Sequence, residues 1–352
     1  MGVSTTGLES RQLCFDEWMR QSGVLNSRAL GSLCYSSAPL PLADCDIPGI
    51  HVAMTVLAAV NISAAMSTQP DAVCELWSSS VQTVAGQYGE IRYRHDGNTL
   101  FGVIQLDESA DDAVQSSALQ CSTERAYRQI FELLDKLGYP YVYRFWNYMA
   151  DINRDSDGLE RYRQFNLGRQ DAFIASARNV AGNVPAACAL GAAGGPLTVA
   201  FLAGHVQPLA IENPRQLSAY EYPQDYGPRS PTFSRASLVR SGAEDMLFVS
   251  GTASIVGHVT MHAADVAAQT RETLANIAAI IQAANERIGQ LRFSPDQLFY
   301  RVYVRHAADL EIVRAVMQTQ IGASLQAVFL QADVCRQDLL MEIEAGASQP
   351  AA

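Results

Sequence analysis

Residues 247–255 read LFVSGTASI and residues 100–108 read LFGVIQLDE, and the two stretches open the same succession of elements. Each is a short apolar run rich in branched and aromatic residues, which reads as a strand. After the first comes a helix from Cys121 through STERAYRQIFELLDKLG, with apolar residues at Ala126, Ile130, Leu133, Leu134 and Leu137. The aromatic strand YPYVYRFWNYM follows, then an insertion, then the apolar PAACALGAAGGPLTVAFLAG. After the second come the helix QTRETLANIAAIIQAAN, the strand LFYRVYVRHAADL, and LQAVFLQADVCRQDLLMEIEA as two closing strands. Phe101 and Phe248 are separated by 248 − 101 positions and Thr123 and Thr270 by 270 − 123, the same offset of 147. Equal offsets with matching element order predict an α+β fold of two β-α-β-β units arising by internal duplication.

The spacing predicts a first domain over 1–210, which includes an N-terminal extension of about 90 residues, and a second over 236–352. The extension shows a helical patch over Ser10–Met19 and apolar runs that the pattern does not order. Between the units, residues 211–235 carry prolines at 214, 223, 228 and 231 and tyrosines at 220, 222 and 226. Proline marks a connection with few regular elements. A flexible linker is rich in Gly, Ser and charge, so a Tyr- and Arg-rich one predicts a rigid wall beside a ligand cleft.

The chain has 352 residues and a formal net charge of −11, with a composition that is 48% hydrophobic and 17% charged. That balance is globular and long enough for a sizeable core. Its acidity argues against nucleic acid, whose phosphates need a basic face, and equally against an anionic membrane. The seven cysteines are odd in number, scattered, and form no CxxC. They read as reduced thiols in a cytoplasmic protein, with neither a disulfide framework nor a zinc site. MGVSTTGLES has no apolar core of a signal peptide. It fits a myristoylation pattern through Gly2 and Thr6, a six-residue match without a basic follow-up that is set aside. No apolar run reaches the roughly 18–20 residues needed to span a bilayer.

Against this acidic background ERYRQFNLGRQDAF (160–173) gathers Arg161, Arg163 and Arg169. Arginine offers a planar fork for carboxylates. Since Lys136 is the one lysine among 25 basic residues, arginine abundance reflects coding bias and only placement is informative. LLMEIEA puts Leu340, Glu342 and Glu344 on one strand face, with Met341 and Ile343 on the other. Two carboxylates on one face are either a solvated stripe or, if Glu342 faces a cleft, a general acid with raised pKa. His258 and His262 share a helix face if that stretch is helical, but no third ligand accompanies them. GAAGG (191–195) lacks the Lys-Ser/Thr of a phosphate loop, and no GxSxG is present.

GPRSPTFSRA leading into LFVSGTASI, with MEIEA at the end, resembles the RidA-like (YjgF-type) fold, a chorismate-mutase-like β-α-β-β arrangement. The resemblance implies a pocket lined by Phe233, by Ser250 with Gly251, and by Glu342. Arg235 replaces the glutamine of the opening motif, which speaks against imine deamination. RFWNYMADIN, GLERYRQFNLGRQDAF, ENPRQLSAYEYPQDYGPRSP, SGTASIVGH and ADVCRQDLLMEIEA together resemble the chorismatases, from about residue 90 to 345. These are enzymes that remove pyruvate from chorismate, built of two RidA-like domains with the active site between them.

The resemblance implies chorismate as substrate, Glu342 as the catalytic acid and no metal or other cofactor. Chorismate carries two carboxylates, for which Arg161, Arg169, Arg229 and Arg235 are the candidates. Arg163 ranks lowest, because on a helix it diverges from Arg161. Tyr220 and Tyr226 are candidates to flank the ring, and Gly251, Ala253 and Cys335 to shape the pocket. Protonating the enolpyruvyl methylene carbon gives an oxocarbenium ion. Pyruvate then leaves with 3-hydroxybenzoate, the outcome favoured because a cysteine at position 335 resembles the aromatising branch. The alternative is hydrolysis to 3,4-dihydroxycyclohexa-1,5-diene-1-carboxylate, and more distant ones are a RidA-like imine deaminase or a ligand-binding protein. Since a duplicated chain supplies both walls of a cleft, a monomer is expected.

Overall fold

The computed structural model describes residues 7–42, 46–62, 70–108, 116–241 and 244–351. The myristoylation pattern at Gly2 lies outside them. The first strand, β1 (Leu8–Cys14), pairs antiparallel along its length with β5 (Ala72–Ser79), from Leu8↔Ser79 to Cys14↔Val73. That ladder overrides the helical patch expected over Ser10–Met19, and helix α1 (Phe15–Val24) starts only where the pairing ends. Between them lie β2 (Ala29–Ser36), β3 (Gly49–Ala53) and β4 (Val56–Val60).

The second group runs β6 (Val84–Tyr88), β7 (Ile91–His95), β8 (Thr99–Leu106), α2 (Ala118–Leu137) and β9 (Tyr141–Ala150). A small hairpin, β10 (Asp155–Ser156) and β11 (Leu159–Glu160), leads into α3 (Arg161–Ala175), then β12 (Ala186–Ala192) and β13 (Leu197–Gly204). The third runs β14 (Leu209–Ile211), β15 (Ala236–Arg240), β16 (Glu244–Thr252), the hairpin β17 (Ile255–Val256) and β18 (Val259–Thr260), and α4 (Val266–Ile288). It ends with β19 (Phe299–Val304), α5 (Leu310–Ile321), β20 (Gln326–Gln331) and β21 (Met341–Pro350). The fold is therefore α+β with mixed sheets. Each of the two later groups carries a second helix, α3 or α5, that the β-α-β-β reading lacked. No helix among the described residues is long and apolar enough to cross a membrane.

The strand orders β12-β9-β13-β8-β7-β6 and β14-β15-β16-β21-β19-β20-β4 contain the same six-strand arrangement read in opposite directions. In both, the first pair (β12 with β9, β20 with β19) is parallel and the next two pairs are antiparallel. The N-terminal sheet, β1-β5-β2-β3, repeats the four strands β8-β13-β9-β12 at one end of that arrangement with the same senses. Helices α2 and α4 are built alike. Ser117 and Asp265 cap their N-termini, and Gly138 and Gly289, at φ 75° and 82°, end them in the left-handed region that suits glycine. Inside them the hydroxyls of Thr123 and Thr270 donate to Leu119 and Val266 carbonyls, each at 2.7 Å.

Helices α2 and α3 bury Ile130, Leu134 and Phe173 against the outer face of one sheet, and α4 and α5 bury Ile277, Ile281 and Val313 against another. The inner faces of all three sheets meet in one core that contains Tyr35, Trp77, Phe101, Trp146, Phe248 and Tyr303. Phe101 and Phe248, the pair at equal offset, both lie here. The Tyr35, Tyr148 and Tyr303 hydroxyls meet at its centre, 2.7 and 3.4 Å apart in sequence.

In β21, Met341, Ile343 and Ala345 lie under the helices, so Glu342 and Glu344 turn toward the junction of the sheets. Neither is solvated, and the stripe reading fails. Glu344 is bound by Arg144 from β9, by Arg301 from β19 and by the Tyr303 hydroxyl at 2.8 Å, while Arg301 also binds Glu75 from β5. All four charged groups are buried. In place of uniformly reduced thiols, Cys34 and Cys74 form a disulfide, their Cα atoms 4.0 Å apart across β2 and β5. Spacing gave no sign of it because the register, not the sequence interval, brings them together.

Removing one member of a buried ion pair strands its partners, at a cost of about 3–5 kcal/mol. Arg301→Ala should destabilise the fold by that much in denaturant unfolding. A loss under about 1 kcal/mol would show that the network is not a structural clamp.

Candidate active site

Glu342 sits beside a break in the neighbouring strand. Val249 pairs with Ala345 and Thr252 with Ile343, so Ser250 and Gly251 of β16 together face the single Glu344. Such a bulge bends the strand and opens the ladder locally. The Glu342 carboxyl lies directly over the Gly251 Cα, where any Cβ would collide with Oε1. Ser250 does not reach the cavity. Its hydroxyl donates to Ser234 O at 2.6 Å and accepts from Ala187 N at 2.9 Å, fixing the bulge to the neighbouring sheet.

The two carboxyls of β21 are two residues apart and electrostatically opposite. Burial raises the pKa of Glu344, but Arg301 and Arg144, with hydrogen bonds from Tyr303 and Cys188, outweigh it and hold the group below its ordinary value. Glu342 has no such clamp. Burial, reinforced by the Glu344 charge, pushes it up to about 8, against a hydrogen bond from Cys335 and the field of Arg144. Glu342 therefore carries a proton at neutral pH. Burial and the neighbouring Glu342 push Cys335 up to about 12, so it remains a thiol. Tyr162, raised by burial and then by Cys335, stays a phenol.

Glu342, Gly251, Ala253 and Cys335 line a cavity of about 540 Å³ whose other walls come from α3, its preceding hairpin and the 211–235 segment. Arg163, Arg235 and Arg336 also line it. Arg235 donates to Leu217 O at 2.6 Å and to the Tyr222 hydroxyl at 2.9 Å. Arg336 donates to His258 O at 2.9 Å and stacks on Tyr226 at 4.1 Å. The Tyr222 ring lies against both guanidinium groups, at 5.6 and 5.3 Å. Neither arginine forms a carboxylate ion pair among the described residues, unlike Arg144, Arg161, Arg215, Arg301 and Arg305. Two cations fixed on one tyrosine form a binding place for a planar dianion.

Several candidates lie elsewhere. Arg161, at the first turn of α3, is committed to Glu108 by a two-pronged ion pair and to Ala150 O at 2.9 Å. Arg169 is caged by Tyr127, Phe145, Phe165 and Phe173 and donates to Thr232 O at 2.5 Å, which ties α3 to the segment before Phe233. Arg229 is half-exposed and 3.8 Å from Asp171. Tyr220 is not part of the lining, whereas Tyr226 and Phe233 are. Arg163, ranked lowest, reaches the cavity because the helix turns it away from Arg161. It pairs with Glu160 at 3.2 Å and rests its stem on Gly227, at φ 135°. Arg336 and Tyr222 were missed. The only signal was adjacency, Arg336 to Cys335 and Tyr222 to the tyrosines already chosen. His258 and His262 lie outside any helix, and His258 Nδ1 meets the Tyr226 hydroxyl at 3.2 Å.

A second cavity, of about 680 Å³, lies between Trp77, Trp146 and Phe248 and touches Arg301 and Glu344. Its buried carboxylates, Glu75 and Glu344, are both bound to Arg301, so the proton donor is assigned to the Glu342 cavity.

Residues 75–203 match the family model described as chorismatase FkbO/Hyg5-like, N-terminal. A 3-hydroxybenzoate synthase of Streptomyces hygroscopicus is 37% identical over 328 residues, 90% of each chain. A chorismatase of Streptomyces rapamycinicus is 39% identical over 285 residues, 78% of this chain and 82% of that one. This chain belongs to the chorismatase family. A chorismatase crystal structure at 1.08 Å resolution superposes with a TM-score of 0.83 at 33% identity, covering 98% of this chain and 100% of that one.

Glu342→Gln keeps the shape and removes the transferable proton. Turnover should fall about 10²–10⁴-fold, the usual worth of a general acid, and wild-type kcat should fall as pH rises through about 8. The folded chain retains a proton that the unfolded chain releases above the ordinary glutamate range. Stability therefore declines with pH up to about 8 in the wild type, and Glu342→Gln lacks the part that Glu342 causes, keeping only the decline up to about 7 that Glu212 contributes. Normal turnover in the variant, or identical stability profiles, would remove Glu342 from the acid role.

Proposed function

We propose that this chain is a chorismatase that protonates the enolpyruvyl ether of chorismate and releases pyruvate and 3-hydroxybenzoate. The observation that carries this reading is a protonated, buried Glu342 in the same cavity as two arginines without carboxylate partners. Arg235 and Arg336 hold the two carboxylates, and the dry setting makes each charged hydrogen bond strong. Glu342 gives its proton to the methylene carbon, which becomes the pyruvate methyl. The oxocarbenium ion that forms breaks down with cleavage of a carbon–oxygen bond. One of the two ring oxygens leaves in the pyruvate carbonyl, and the other remains as the phenol. The ring proton lost on aromatisation balances the one delivered, so no net water and no redox partner enters. Cys335 and Tyr162, both held neutral, exclude water from the cation.

The units over 1–210 and 236–352 fit an internal duplication of a RidA-like domain, supported by the common strand order and the matched Thr123 and Thr270. Segment 211–235 joins them and walls the cavity. Because one chain furnishes every wall, a monomer suffices for catalysis, and activity per chain should not change on dilution to nanomolar concentration. A fall that tracks dissociation of an oligomer would contradict that. A cytoplasmic location belongs to the same reading, which the free Cys14, Cys188 and Cys335 suit and the Cys34–Cys74 disulfide does not.

Chorismate turned over in D₂O should give pyruvate with one deuterium in its methyl group, alongside 3-hydroxybenzoate, both read by mass spectrometry. Unlabelled methyl would exclude carbon protonation, and a dihydroxycyclohexadiene carboxylate would assign hydrolysis instead. Arg235→Ala and Arg336→Ala should each lose about 1.5–3 kcal/mol of transition-state binding, or roughly 10- to 150-fold in kcat/KM. Arg161→Ala should act mainly on stability. A full loss of activity in well-folded Arg161→Ala, with Arg235→Ala healthy, would reverse the assignment.

A further inference from the structure

Glu212 is a buried carboxyl that the proposed chemistry does not use. It lies one residue past Ile211, which pairs with Ala236 in the β14–β15 ladder, so Glu212 stands across from Arg235. Directly opposed cross-strand side chains interact, opposite charges favourably. Both Glu212 carboxyl oxygens are buried; the Ser218 hydroxyl and the Arg235 backbone N–H are the donors that reach the group, and no ion pair closes on it among the described residues. The Arg235 Nε is buried and without a hydrogen-bond partner among the described residues. Arg235 is otherwise held by Leu217 O and the Tyr222 hydroxyl, and its own carbonyl accepts from Ser250 N at 2.9 Å. Arg235 thus lines the cavity, while the Glu212 carboxyl, outside the lining, lies within the field of its charge.

Burial pushes Glu212 up to about 7. Arg235 and the Ser218 hydroxyl favour its ionised form, and Glu221 opposes it. The group changes charge near neutrality, within the field of a substrate anchor.

We propose that Glu212 is a positioning residue that sets how strongly Arg235 holds a substrate carboxylate. With Glu212 neutral, the guanidinium charge is available to the substrate. With Glu212 ionised, the two groups pair and the incoming dianion meets a second negative charge near its anchor. Both effects have one sign: substrate binding favours protonated Glu212, and ionised Glu212 weakens substrate binding. This rests on the assignment of Arg235 as a carboxylate anchor.

The test is the pH dependence of KM and kcat for chorismate between pH 6 and 9, in the full-length wild type and in Glu212→Gln, Ser218→Ala and Arg235→Ala. In the wild type KM should begin to rise near pH 7, by roughly tenfold if binding changes the Glu212 acidity tenfold. The rise caused by Glu342 itself begins only near 8. Glu212→Gln should abolish the earlier rise and keep the later one, with the kcat profile unchanged. Ser218→Ala removes a hydrogen bond that favours the ionised form, so its rise should move to higher pH. A purely structural role would change stability or KM at every pH and shift neither break. A wild-type KM profile in Glu212→Gln, or an unmoved break in Ser218→Ala, overturns the proposal, and Ser218→Ala decides it alone if Glu212→Gln does not fold. Arg235→Ala separates the two readings. A high KM there with an unaltered Glu212→Gln profile sinks only the positioning role, and a normal KM there sinks the anchor and this proposal together.

Discussion

The clamp of Arg144 and Arg301 on Glu344 is the constraint on which the rest of the structure depends. It draws one carboxylate from β21, one arginine from each of β9 and β19 and, through Glu75, a residue of β5 into a single buried network. The three sheets are joined at that point. Burying so many charges is costly unless each is matched, and here the matching is complete for Glu344 and absent for Glu342. Two residues of one strand face therefore hold opposite protonation states. The negative charge retained at Glu344 is part of what keeps the proton on Glu342.

A second consequence concerns the overall acidity of the chain. Net charge −11 is unfavourable for a dianion at long range. What matters for binding is the local field, and most arginines are neutralised where they stand. Arg235 and Arg336 differ because aromatic stacking and backbone carbonyls, not carboxylates, hold them in place. Carbonyls and rings fix a guanidinium without consuming its charge. The tyrosines and prolines of 211–235 are thus the physical means by which an acidic protein keeps two cations free.

The element order apart from α3 and α5, the period-2 face of LLMEIEA and the equal offsets of Phe101/Phe248 and Thr123/Thr270 were legible because they rest on local sequence pattern. Glu342, Gly251, Ala253, Tyr226, Arg235 and Cys335 were placed in the cavity by motif resemblance. Sequence reading ranked Arg161 and Arg169 above Arg163, the reverse of their placement in the cavity, since the partners that claim them, Glu108 and a cage of four aromatic rings, are remote in the chain. The strands of the first 80 residues were illegible for a related reason. Their sheet has one short helix, α1, and its pairings join residues far apart, such as Leu8 with Ser79. The Cys34–Cys74 bond and the Arg301–Glu75 pair follow from that same long-range register.

The central claim is that a single buried carboxyl on β21 is protonated at neutral pH while its neighbour on the same face is not. Infrared spectroscopy of the protonated carboxyl band, titrated in the wild type and in Glu342→Gln, measures it directly. The wild type should show a component of that band at pH 7 that is missing from the variant and disappears as pH passes about 8, beside the Glu212 component that both share and that fades near 7. A wild-type spectrum with no such component at pH 7, or one that the substitution leaves unchanged, would contradict the account.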